Sequence, residues 1–214
     1  MGNTTFRNVV RSTEGFKHVS IAAGTGTETE TVIVDSNGLL TADISGAAAA
    51  TAAGAGITDG TGAVLSTEIT KVGKIISTHI FVDLTGLQSS TDDLDIIGSG
   101  TSAATLTAID YATMGQVFAV SMTCLEAPLT GVTDIDLYSA TESTGAFDTG
   151  IGTLTEVIVI TGGAAWTLNK VNAATPATNI PADGKFLYLT CGAAGTVGTY
   201  TAGQFLIELW GYEA

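Results

Sequence analysis

KIISTHIFVDL, residues Lys74 to Leu84, alternates residue by residue between side chains fit for a core and side chains fit for water. That is the period of a half-buried β-strand, not of a helix. The same period returns in QVFAVSMTCLEA (116–127), DIDLYSA (134–140), TEVIVI (155–160), KFLYLTC (185–191) and QFLIELWGY (204–212). The last run alternates less cleanly but is apolar enough to be a central strand. Gly, Asp, Asn and Ser separate these runs as turn punctuation, and helical periodicity is almost absent. From residue 64 onward the runs recur every ~10 to 20 residues without the spacing of a βαβ unit. The expectation is an all-β chain of eight or more strands, in antiparallel sheets packed face to face as a β-sandwich of jelly-roll type.

Upstream, TVIVDSNGLLTADI (31–44) carries Asn37-Gly38 between two alternating segments. Asn and Gly supply the positive φ angles that a type I′ turn needs, so the spacing predicts a hairpin over 31–44. SGAAAATAAGAG (45–56) follows. Alanine favours helix, but glycines and short length make an isolated helix marginal, so a turn or two of helix and an irregular loop both remain open. An Ala/Gly/Thr stretch builds no core, and 46–63 reads as a connection. The predicted organisation is therefore an N-terminal attachment segment, 1–63, with hairpin and Ala/Gly-rich connection, and a β-sandwich domain, 64–214.

Charge is scarce and one-sided. Only 13% of residues are charged, against roughly 25% in ordinary domains, while 45% are hydrophobic and 27 are Gly. Thr, Ser, Ala and Gly must cover the surface. The formal charge of −14 repels phosphate backbones and anionic lipid, so neither nucleic acid nor membrane is an expected partner. Arg7, Arg11 and Lys17 against Glu14 leave the first 18 residues at +2 and the remainder at −16. That basic end is a candidate for docking on an acidic surface; a frayed, slightly basic terminus is the plainer reading. Apolar runs such as Ala47–Ala50 and Val157–Ile160 fall far short of the ~20 residues a spanning helix needs. The opening MGNTTFRNVVRSTEGF has no apolar region of the secretory kind, so export by the standard route is not expected.

The residues that carry chemistry are few. Two cysteines, Cys124 and Cys191, are too few for a disulfide framework and lie in apolar strand-like contexts, where buried small hydrophobes are the simplest reading and a pair remains open. His18 in FKHVSI and His79 in STHIFV each fall within a strand pattern and suit structural roles. No G-x-S-x-G elbow, H-E-x-x-H helix or phosphate-binding G-x-x-x-x-G-K-[ST] loop is present, so no catalytic residue and no cofactor is assigned, and the chain is read as no enzyme. Gly24-Thr25-Gly26 and Gly98-Ser99-Gly100 read as turns, not dinucleotide loops. Asp134 and Asp136 at i, i+2 spacing are placed on the solvated face of a strand, with Ile135 and Leu137 on the other face. Asp92-Asp93-Leu94-Asp95 offers hard oxygens of the kind calcium takes, though a plain acidic loop is favoured and no metal is assigned. Trp166, Trp210 and Tyr212 are assigned to core or subunit interface ahead of an exposed stacking platform.

The segments MTCLEAPLTGVTDIDLYSATESTGAFD (122–148), TEVIVITGGAAWTL (155–168) and KFLYLTCGAAGTVGTYTAGQFLIELWGY (185–212) resemble a family of virion structural proteins of marine tailed phages. The likeness covers residues 78 to 214 and leaves the first 60 or so unmatched. It implies a particle component, of the head-decoration or head-fibre kind, and transfers no catalytic residue. On that footing the expected function is decoration and stabilisation of the outer surface of the head. The partners would be the major capsid protein and two further copies in a homotrimer, with synthesis in the host cytoplasm. Arg7, Arg11 and Lys17 would attach the chain to the shell. The alternative is a receptor- or glycan-binding module of a tail or head fibre.

Overall fold

The computed structural model describes residues 16–21, 28–34, 52–174, 179–195 and 197–213, and the chain divides into two units, Met1–Gly46 and Ala47–Ala214. In the first unit β1 (Phe16–Ile21) and β2 (Glu28–Val34) pair antiparallel, from Ile21 opposite Glu28 to Phe16 opposite Val34. Residues 31–34 are thus a strand as predicted, but their partner is β1. The Asn37-Gly38 turn and the expected second arm to residue 44 lie outside the described residues, as do Arg7, Arg11 and Gly24–Gly26.

The second unit is all-β apart from short helical turns. One of these, α1 (Ala55–Thr58), is all the helix the alanine-rich stretch yields in the described residues. Residues 52–63, read as connection, lie against the β body: the amides of Gly54 and Gly56 donate to the carbonyls of Thr105 and Ala103, and Ile57 is buried. The strands are β3 (Val64–Val72), β4 (Ile75–Asp83), β5 (Gln88–Ser89), β6 (Gln116–Leu129), β7 (Ile135–Ala140), β8 (Glu156–Ile160), β9 (Val171–Ala173), β10 (Phe186–Cys191), β11 (Gly198–Thr199) and β12 (Ala202–Tyr212). A second turn of helix, α2 (Tyr111–Met114), is capped by Asp110, whose carboxylate accepts from the amide of Ala112. Gly115 ends that turn at φ 70°, where an added Cβ would lie 2.8 Å from the carbonyl oxygen of Tyr212. Among the described residues no helix is long and apolar enough to cross a membrane.

Two larger antiparallel sheets organise this unit. A five-stranded sheet runs β3-β4-β12-β6-β9, and the predicted central strand, 204–212, is its middle. Alternation does what period 2 demands: Ile76, Thr78, Ile80 and Val82 of β4 and Phe205, Ile207 and Leu209 of β12 are buried, and the residues between them are not. The second sheet runs β10-β7-β8, and here β7 is buried at all six positions and β10 at all but Phe186. The free edge of β10 is not left open but is continued by irregular backbone. Leu94 and Ile97 donate to Cys191 and Leu189, and Leu106 and Ile109 donate to Leu187 and Lys185. These two stretches continue the ladder with an excursion between them, which contains the Gly98–Gly100 turn. One hydrophobic cluster joins both sheets. Trp166 packs edge-on against Phe205 at 5.4 Å between ring centroids. Each such fully buried large side chain contributes about 1.5–3 kcal/mol from burial alone.

Candidate functional site

The face of the five-stranded sheet opposite the core is a ladder of cross-strand rows. Val72, Ile75, Tyr212 and Gln116 form one end row; Thr70, Ser77, Trp210 and Ala119 the next; then Glu68, His79, Glu208 and Ser121; then Ser66, Phe81, Leu206 and Thr123. Val72 is 78% exposed, Ile75 47%, Phe118 45% and Tyr212 39%, while Trp210, Phe81 and Leu206 are half-buried. Phe118 and Tyr212 pair at 6.4 Å between rings, and the Tyr212 hydroxyl donates to Gln116 Oε1 at 2.7 Å. Large apolar side chains gathered on one open face exceed the scattered single exposures normal for a surface. Of the aromatics assigned to core or interface, Trp166 is core: it is 2% exposed and its indole N–H donates to the carbonyl of Ile135 at 2.7 Å. Trp210 and Tyr212 lie on the open face.

The polar row on that face places three chemical groups in line. Glu208 Oε1 lies 3.6 Å from His79 Nε2, and Ser121 Oγ donates to Glu208 Oε2 at 3.3 Å. The carboxylate stands between hydroxyl and imidazole, so the histidine does not reach the hydroxyl as a general base must. This Ser121–Glu208 contact was invisible in the sequence, because it depends on the register of β6 against β12. His18 is in β1, described by its backbone, as is Lys17.

A second polar group lies inside. Asp134 and Asp136 are not on a solvated face: Asp136 is 4% exposed and accepts from the amide of Gly162 at 2.6 Å. The face they share with Tyr138, Tyr188 and Thr190 is covered, so the alternation that marks a half-buried strand was here masking a fully buried one. Burial raises the carboxyl of Asp136 above the ordinary range, opposed by the Gly162 amide and reinforced by Asp134 and Asp93. Burial likewise raises Asp134, opposed by Lys170. Tyr138 on the same face is pushed up to about 12, again mainly by burial. Lys170 donates its ammonium to the carbonyls of Gly162 and Ala164 and lies 4.8 Å from the centre of the Trp166 ring.

The 92–95 loop does not converge. Asp92 and Asp93 are exposed, whereas Asp95 is buried and its carbonyl accepts from the amide of Cys191. Among the described residues no group of three or more His, Cys, Asp or Glu is arranged to hold a metal ion. Cys124 and Cys191 are both buried and unpaired, and burial pushes the Cys191 thiol up to about 11. No family model, curated protein or solved structure matches the chain.

Proposed function

We propose that this chain is a structural component of a tailed-phage particle, a decoration protein of the outer head surface that acts by packing against its neighbours. The observation that carries this reading is the open face of the five-stranded sheet, where Val72, Ile75, Phe118 and Tyr212 are exposed beside Trp210. Such a face supplies the apolar centre that a subunit contact requires, and the Glu68–His79–Glu208 row across it supplies register. In this reading the face closes a homotrimer, and repeated weak contacts with the major capsid protein gain avidity from symmetry. The excess of acidic groups keeps particles apart in solution. The resemblance of residues 78–214 to phage virion proteins points the same way.

In the same proposal the two sheets stack as a β-sandwich of jelly-roll type. The chain passes from one sheet to the other between β6 and β7, β8 and β9, β9 and β10, and β10 and β12, in support of such wiring. The β3–β4 and β7–β8 hairpins within single sheets depart from the strict form. For the glycan-binding alternative Trp166 is buried and offers no stacking platform, whereas Trp210 and Tyr212 on the open face are the aromatic side chains it would use.

Attachment to the shell is assigned to the basic segment with Arg7, Arg11 and Lys17. Deleting residues 1–18 should abolish binding to undecorated heads while the β body keeps its far-ultraviolet dichroism and its oligomeric mass. Stoichiometric binding by the truncated chain would refute the attachment role.

A further inference from the structure

Asp134 and Asp136 precede and open β7, and they point the same way as Thr190, the residue opposite Asp136 on β10. Two glycines close this corner. A Cβ built on Gly192 would lie 2.8 Å from Asp136 Oδ1 and 2.9 Å from Asp134 Oδ1, and one on Gly162 would lie 2.2 Å from Asp134 Oδ1. Both carboxylate oxygens therefore converge on the space between Gly162 and Gly192, which only glycine leaves open. Two atoms in the corner lack a hydrogen-bond partner: Asp134 Oδ1 and Thr190 Oγ1, the latter on a residue with no exposure at all. The ion pairs among the described residues are Lys71 with Glu213 and His79 with Glu208, and neither aspartate takes part in one. Lys170, the nearest cation, spends its ammonium on the carbonyls of Gly162 and Ala164.

Asp136 accepts from the Gly162 amide and the charge of Lys170 acts on Asp134, yet Asp134 Oδ1 and Thr190 Oγ1 stay without a hydrogen bond, an expensive arrangement beside a second carboxylate unless something positive joins them. The three side chains offer only hard oxygens, the set that hard divalent cations select. We propose that the corner formed by Asp134, Asp136 and Thr190 between Gly162 and Gly192 binds a calcium-class divalent cation. Three protein donors leave several coordination positions to water, which reaches the site past the partly exposed Asp134. A hydrated site of low ligand charge belongs to the weak end of calcium affinities, with dissociation constants of about 10⁻⁴–10⁻³ M. The ion would tie the start of β7 to the 160–166 loop and to the end of β10. Asp93 of the neighbouring 92–95 loop acts on both aspartates through its charge, but it is exposed and is not one of the three donors.

Terbium luminescence excited through tryptophan tests the proposal on the full-length chain, because the Trp166 indole nitrogen lies 2.9 Å from the Cβ position of Gly162. Terbium should give saturable emission at one ion per chain in about 150 mM salt, which screens the general attraction of the acidic surface. Calcium should displace it, and calcium should raise the melting temperature. Asp134→Asn should weaken terbium binding at least tenfold while the protein stays folded, and Thr190→Val should weaken it severalfold, which loss of a merely unpaired hydroxyl would not do. Asp93→Asn should leave the stoichiometry at one. Should Asp136→Asn fail to fold, the part-exposed Asp134 keeps the test intact. Emission that never saturates, or a folded Asp134→Asn protein that binds terbium as the parent does, would overturn the site.

Discussion

The two sheets of the body are built from similar strands and put to opposite use. The β10-β7-β8 sheet is covered on both faces, and it carries Asp136, Ser139 and Thr190 inside. The β3-β4-β12-β6-β9 sheet is covered on one, and it carries Phe118, Ile75 and Tyr212 outside. The inversion is informative: polar groups are buried where nothing further can dock, and apolar groups are exposed where a neighbour can. In the first sheet the polar groups must find partners within the chain, and in the second the apolar groups gain only if a second surface arrives.

The most severe way to break this contrast is a matched pair of truncations. Leu137→Ala removes a side chain with no exposure from β7 and should cost about 2–5 kcal/mol in urea unfolding, whereas Leu206→Ala on the open face should cost under ~1 kcal/mol. Equal losses would erase the distinction between the sheets. Next in size is Tyr188→Phe. The Tyr188 hydroxyl donates to the carbonyl of Glu142 at 2.7 Å and accepts from the amide of Gly145 at 3.3 Å. Stripping it from a buried face should cost about 1–3 kcal/mol by the same measurement.

The open face offers the reverse test. Phe118→Ser with Tyr212→Ser should change monomer stability by only ~0.5 kcal/mol, as surface substitutions do, yet light scattering should find it monomeric where the proposed assembly predicts a trimer for the parent. A stable oligomer in that double variant would remove the face from the account. The smallest effect concerns Glu142, whose carboxylate accepts from the amide and hydroxyl of Thr155 at 2.8 and 2.9 Å. These hydrogen bonds hold its carboxyl below the ordinary range, the Thr155 amide foremost. A depressed value in the fold contributes stability above the unfolded value, lost as pH falls through the folded one. Glu142→Gln should therefore lower the melting temperature slightly at neutral pH and match the parent in acid.

Much of the fold was legible because period 2 is a local property. Lys74–Leu84 announced its buried side, and Gln204–Tyr212, whose alternation reads less cleanly, was placed at the centre of a sheet because it is so apolar. What stayed hidden depends on long-range cover. Asp134-Ile135-Asp136-Leu137 alternates like a half-exposed strand, and only the 160–166 loop folding over it, with the Gly162 amide on Asp136, makes it interior. The ladder on the free side of β10 is built from irregular residues 94–109, which have no strand pattern to read. The candidate face was half legible: Trp210 and Tyr212 were singled out, but Phe118, Ile75 and Val72 join them only through register. Trp166 looked the same in sequence and went to the core, because its indole meets Phe205 and the Ile135 carbonyl.

The central claim is that the chain serves by occupying a particle surface with its one-sided sheet turned to a neighbour. On the proposed reading a phage encodes the chain, and a reconstruction of purified particles of that phage tests this most directly. The account predicts repeated copies on the outside of the head, with Phe118, Trp210 and Tyr212 buried between subunits and the β10-β7-β8 sheet unchanged. Particles that lack the chain, or copies whose open face remains in solvent, would contradict it.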